Sequence, residues 1–138
     1  MAQLQGYAAY KHFAVTSPSP FVAHVEINRP AKLNAFFEAM WLELAQIFQK
    51  LSADPEVRAV VLSGAGDRAF TSGLDVQAAS TDSLLAAGPG SDVARKSTAL
   101  RRHILEFQDS ISAVERCEKR KAAPKATQRV HRATVEGT

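Results

Sequence analysis

The 138-residue chain carries 46% hydrophobic and 22% charged residues with a net charge of +3, which excludes a disordered chain and fits one soluble domain with a real core. No apolar run approaches the roughly 18–20 residues of a membrane span. The single cysteine, Cys117, excludes an intrachain disulfide and fits a reducing compartment.

The first residues, 1–10, lack the charged and apolar regions of a secretory signal and the Arg-rich pattern of a transit peptide, and are expected to be flexible. Lys11–Thr16 and Phe21–Asn28 read as strands flanking a Ser17-Pro18-Ser19-Pro20 turn, an antiparallel hairpin. His12, His24 and Glu26 fall on these strands as surface polar residues. Pro30 ends the second strand by removing a ladder donor, and Asn34 is expected to cap the helix that follows. From Ala35 to Leu51, the apolar positions Phe37, Trp41, Leu44, Phe48 and Leu51 step by three and four, so this stripe is core. Asp54-Pro55 stops the helix.

Ala59–Leu62 then reads as a buried strand, giving a β-β-α-β order and a parallel pair joined by a crossover. The strand runs into Ser63-Gly64-Ala65-Gly66-Asp67, and a second glycine turn follows at Thr71-Ser72-Gly73. Small residues past the carboxyl end of a parallel strand mark the place where open α/β sheets approach ligands. The loop has neither the P-loop spacing nor GxGxxG, so a phosphate cradle is not the reading.

Gln77–Ser91 reads as a mobile loop with a short helical turn at Leu84-Leu85. Asp92 is expected to cap a second long helix, with Val93, Leu100, Ile104, Phe107, Ile111 and Val114 on its apolar face. Arg95, Lys96, Arg101 and Arg102 on its early turns read as a solvated face, with a phosphate-facing role as the alternative. The charge is uneven. Glu115–Thr138 holds seven Lys/Arg and three Asp/Glu, so the end is basic and the body near neutral. Residues 118–138 show no apolar period and read as a disordered basic tail. The tail has charge without interleaved aromatics, which argues against nucleic-acid binding, and His131 and Cys117 are too isolated for a metal site.

Two stretches carry a resemblance. Val25-Glu26-Ile27-Asn28-Arg29-Pro30-Ala31-Lys32-Leu33-Asn34-Ala35 resembles the opening signature of the crotonase, or enoyl-CoA hydratase/isomerase, superfamily. Arg58–Gly66 followed by Ala69-Phe70-Thr71-Ser72-Gly73-Leu74-Asp75-Val76 resembles its second signature. Asp92–Arg95, the helix after it and Val114–Cys117 are most similar to the dienoyl-CoA isomerase branch, which converts 3,5-dienoyl-CoA to 2,4-dienoyl-CoA in fatty acid β-oxidation.

The resemblance implies an α/β, crotonase-like ββα spiral, with residues 11–117 as its N-terminal half, cut short before the basic tail. It implies that the backbone N–H of Leu74 is one of two oxyanion-hole donors to an acyl-CoA thioester. Ser72, Gly73, Leu74, Asp75 and Val76 would line the thioester and pantetheine, and Ala31, Lys32, Leu33 and Ala35 would border the CoA. Lys32 is placed to pair with a CoA phosphate, a surface lysine being the alternative. Asp75 is implied to be structural, holding loop N–H groups, and not a base. No cofactor is implied beyond the CoA of the substrate, and no metal.

The departure from the family begins near Glu118, where Glu118-Lys119-Arg120-Lys121-Ala122-Ala123-Pro124-Lys125 stands in place of the family's next strand and glycine-rich turn. That segment supplies the second donor, and the catalytic carboxylates lie further on. The change reads as a truncation, frameshift or altered splice site, and leaves the chain inactive alone. Enoyl-CoA hydration is the enzymatic alternative. A non-catalytic relative that binds acyl-CoA, or joins full-length subunits in homo- or hetero-oligomers, is the other. Family members work in peroxisomes or mitochondria, and the chain shows no targeting signal, so a cytoplasmic location is also open.

Overall fold

A computed structural model describes residues 2–81 and 92–123. Among these residues, five strands form one sheet in the order β1-β2-β3-β4-β5. These are β1 (Ala2–Gln3), β2 (Phe13–Ser19), β3 (Val22–Ile27), β4 (Ala59–Gly64) and β5 (Arg120–Ala122). The first three are antiparallel, whereas β3–β4 and β4–β5 are parallel. The helices are α1 (Glu38–Ala53), α2 (Val76–Thr81) and α3 (Val93–Arg116), with a short 3-10 turn at Pro30–Lys32. No helix among the described residues is long and apolar enough to cross a membrane.

The hairpin forms as expected, but its strand runs through Ser17-Pro18-Ser19 and turns at Pro20-Phe21. Pro20 presets its own φ, and Phe21 adopts φ 65° with its ring against the Arg58 guanidinium at 4.3 Å. Alternation on β3 buries Ala23, Val25 and Ile27 against the α1 stripe of Met40, Trp41, Leu44, Ile47, Phe48 and Leu51. Helix α1 starts three residues later than the apolar spacing suggests. Phe37, with extended backbone and no side-chain cap, is its N-cap, because Asn34 is engaged elsewhere.

Helix α3 runs parallel to α1. Glu38 lies near His103 and Glu106 at one end, and Glu118 N–H donates to Ser52 Oγ at the other. At 1.5 Å per residue, the 24-residue α3 is about 12 Å longer than the 16-residue α1. Its early turns therefore overhang. Asp92 does cap it, accepting from Ala94 N–H. Phe107 packs on Trp41 and Ala113 reaches the core, but Val93, Leu100, Ile104 and Ile111 of the expected apolar face stay exposed.

Three expectations are corrected. Part of the segment expected to be flexible is tied down: β1 pairs with β2, and Tyr7 is 1% exposed with its hydroxyl donating to Asp54. That burial, then the Asp54 carboxylate, push the Tyr7 hydroxyl well above its ordinary range. The loop expected from Gln77 begins instead as α2, while the Leu84-Leu85 turn lies outside the described residues. The tail expected to be disordered from 118 begins with β5, which pairs with β4 at Ala59–Arg120, Val60–Lys121 and Val61–Ala122. A ladder needs only backbone groups, so a basic triplet without apolar period can add a strand. Residues 124–138 lie outside the described residues.

Candidate functional site

The loops that follow β3 and β4 leave the sheet side by side at the carboxyl ends of a parallel pair. One residue holds them together. Asn34 is fully buried, and its Nδ2 donates to the carbonyls of Ala65 and Ala69, both at 2.9 Å. Its Oδ1 accepts from the Arg29 N–H at 2.9 Å, and its own carbonyl accepts from the Thr71 hydroxyl at 2.6 Å. Leu33 and Asn34 are both left-handed, at φ 52° and 55°, which side chains other than Asn and Gly resist. Gly64 is required by the same closeness: a Cβ there would stand 2.3 Å from the Phe70 carbonyl and 2.8 Å from that of Ala69.

The second contact between the loops is a parallel β-bridge of Phe36 with Leu74. Phe36 N–H donates to the Gly73 carbonyl at 2.7 Å, and Asp75 N–H donates to the Phe36 carbonyl at 2.8 Å. Because the residues on either side of Leu74 make these bonds, the N–H of Leu74 points away from the bridge. Among the described residues it has no partner, and Leu74 is half-exposed. Gly73, at φ +92°, makes the turn that presents it, and an added Cβ would meet nothing within 4 Å.

A third group fixes the far side of the turn. Asp75 accepts from Ala78 N–H at 3.0 Å with one oxygen and from Arg29 Nη1 at 2.7 Å with the other. The Ala78 N–H, and after it the Arg29 guanidinium, hold its carboxyl below the usual carboxylate range. Arg29 also donates to the Ala35 carbonyl at 3.0 Å and lies over the Phe37 ring at 4.7 Å. Asp75 is thus an ionised staple between loop and helix, and its position offers nothing to a proton-transfer role.

The structure brings Ser72, Gly73, Leu74 and Val76 to one open surface, with Ala31 and Lys32 exposed on the neighbouring loop. Leu33 is half-buried between the loops, where its carbonyl accepts from Ser72 N–H at 3.0 Å. Ala35 is buried, so it serves the site through its carbonyl on Arg29. Arg29, Asn34 and Phe36 are the supporting residues that sequence reasoning passed over. Their types were visible, but the partners through which they join the two loops lie between 31 and 46 residues away in the chain.

The geometry is thus a βαβ unit with an outward backbone N–H at the carboxyl ends of its parallel strands. The enoyl-CoA hydratase/isomerase profile matches residues 19–118, and the chain belongs to that family. It is 46% identical over 110 residues to the mitochondrial Delta(3,5)-Delta(2,4)-dienoyl-CoA isomerase of Rattus norvegicus, covering 80% of this chain and 33% of that one. It is 39% identical over 98 residues to the peroxisomal Delta(3,5)-Delta(2,4)-dienoyl-CoA isomerase of Arabidopsis thaliana, covering 71% and 34%. An enoyl-CoA hydratase/isomerase structure from Xanthobacter autotrophicus Py2 superposes with a TM-score of 0.66 at 28% identity, over 83% of this chain and 38% of that one. The fold is thus crotonase-like, and the chain spans about a third of the length of the curated relatives it matches.

Proposed function

We propose that residues 28–76 form the thioester-binding half of a 3,5-dienoyl-CoA isomerase site, with the Leu74 N–H as one oxyanion donor. The observation that carries this reading is the Phe36–Leu74 bridge, which turns that N–H outward beside an exposed, small-residue loop. A preorganised donor aimed at a developing enolate oxygen is worth about 10²–10³ in rate. Ser72 and Val76 flank the thioester on this reading, and Ala31 and Lys32 border the CoA. The similarity to mitochondrial and peroxisomal dienoyl-CoA isomerases supports both the reaction and those two compartments.

One donor does not make a turnover site. Isomerisation also needs groups that move a proton between carbons, and no acid of this sequence stands in the context that the resemblance assigns to them. The 138-residue chain on its own therefore binds acyl-CoA and turns it over negligibly. Titration with octanoyl-CoA and with CoA alone tests the binding. Isotope-edited infrared spectroscopy of the bound thioester carbonyl is expected to show a downshift from the Leu74 donor. Equal affinity for CoA and octanoyl-CoA with no carbonyl shift overturns the assignment. Formation of conjugated diene from a 3,5-dienoyl-CoA at an ordinary enzymatic rate overturns the inactivity.

A further inference from the structure

Outside that site, the helices carry a second constellation. Glu38, in the first turn of α1, faces His103 and Glu106 of α3, and one ligand atom from each lies within 4.8 Å of the other two. His103 and Glu106 are three residues apart, so they share a helix face. Imidazole with two carboxylates is a donor set for a zinc-class divalent ion, whose ligand atoms sit about 3.3–3.5 Å apart in tetrahedral geometry. Glu38 and Glu106 are exposed, so small side-chain rotations close that gap.

A separate observation lies beside the cluster. Trp41, one turn after Glu38, is 5% exposed, its ring and that of His103 lie 5.4 Å apart at an interplanar angle of 62°, and its Nε1–H has no acceptor among the described residues. Buried donors are nearly always satisfied, and an oxygen on a three-ligand metal, the position open sites keep for water, is an acceptor of the right kind. We propose that Glu38, His103 and Glu106 bind a divalent transition-metal ion that clips α3 to the start of α1. The site is empty. It is distinct from the thioester loops and asks nothing of them. The clip would fix the point from which the overhanging early turns of α3 project.

Trp41 is the sole tryptophan, which makes its fluorescence a local probe. EDTA-treated, dialysed full chain is titrated with Zn²⁺ and Ca²⁺ by calorimetry and by Trp41 emission. The expected result is one Zn²⁺ per chain with micromolar affinity, a Trp41 spectral change that saturates with it, and much weaker Ca²⁺ binding. At a 100-fold excess of Zn²⁺ over its Kd, the unfolding equilibrium constant falls about 100-fold. Glu38→Gln and Glu106→Gln, at exposed positions that leave the fold intact by circular dichroism, each weaken binding at least about tenfold, as does His103→Gln. His131→Gln leaves it unchanged. Three outcomes each overturn the site: absence of saturable binding below about 100 µM, binding that survives the Glu38 and His103 variants, or a silent Trp41. Any of them leaves the trio as a polar cluster that binds no metal.

Discussion

Asn34→Ala is the sharpest probe of how the site is held. The substitution removes three side-chain hydrogen bonds, two donated to the Ala65 and Ala69 carbonyls and one accepted from Arg29. At about 1 kcal/mol net each, that is about 3 kcal/mol. Alanine must also hold the left-handed φ of 55°, which costs roughly 1–2 kcal/mol. A loss of about 4 kcal/mol is expected, a large share of the roughly 5–15 kcal/mol that keeps a domain folded. Urea unfolding followed by circular dichroism measures it, with Tm falling by roughly 4 °C per kcal/mol. Asn34→Gly separates the terms, because it loses the same bonds but relieves the backbone, so its loss is near 3 kcal/mol. Hydrogen exchange adds the readout specific to the site: the amides of Phe36, Ser72 and Asp75 exchange faster in both variants. A change under about 0.5 kcal/mol, or unaltered exchange at those three amides, refutes the clasp.

Gly64→Ala drives a Cβ into two carbonyls and is expected to cost about 3 kcal/mol or more, whereas Gly73→Ala meets open space and costs only about 1–2 kcal/mol for its φ; denaturant midpoints rank the two. Asp75 contributes stability as an anion, its folded-state carboxyl being held below the ordinary value. That contribution is therefore full above the unfolded value of about 3.9 and disappears as pH falls through the lower folded one. Asp75→Asn is expected to be less stable than wild type at pH 7 and to lose less below about pH 4 in acid titrations. Tyr7→Phe removes the bond to Asp54 and is expected to cost about 1 kcal/mol in the same unfolding assay, an effect that a flexible N-terminus would not show. The exposed Leu100, Ile104, Leu105 and Ile111 on α3 are expected to drive self-association at micromolar concentration. Ile104→Glu with Ile111→Glu shifts light-scattering mass toward the monomer while leaving helical content unchanged.

Periodicity made the layers legible, because it reports which side of an element faces apolar neighbours. The step-three, step-four stripe from Phe37 to Leu51 and the alternation on β3 both became core. The misreadings share one origin: they concern groups whose partners are remote in sequence or are backbone. Asn34 has the chemistry of a cap and stands before an apolar run, yet its side chain is spent on Arg29, Ala65 and Ala69. The unbroken apolar run of β4 suggests cover on both faces. Val60 is buried under the helices, but Val61 on the opposite face is 37% exposed among the described residues. Strand β5 has no side-chain signal at all, since Arg120–Ala122 joins the sheet through its ladder. Both signature stretches and the small-residue turns that follow β4 could be read from residue types. Which groups orient them could not.

That division bears on what the chain can do. Among the described residues, the contacts that hold the loop presenting the Leu74 N–H include the Phe36 bridge, the Asn34 clasp, the Arg29–Asp75 ion pair and the Ala65 N–H held by the Ile27 carbonyl at 2.7 Å. A donor positioned by its own half of the fold needs no further chain to be preorganised. On the proposed reading, thioester binding and proton transfer are thus carried by separable stretches. Polarisation of the thioester carbonyl in this 138-residue chain should then persist while turnover does not. Loosening that frame, through the Asn34 clasp or the Arg29–Asp75 ion pair, should weaken the polarisation. Octanoyl-CoA infrared spectra of a variant that stays folded but has lost part of the frame, such as Asp75→Asn, decide this. A carbonyl shift that is unchanged there would mean that the loop is oriented by something other than the contacts described.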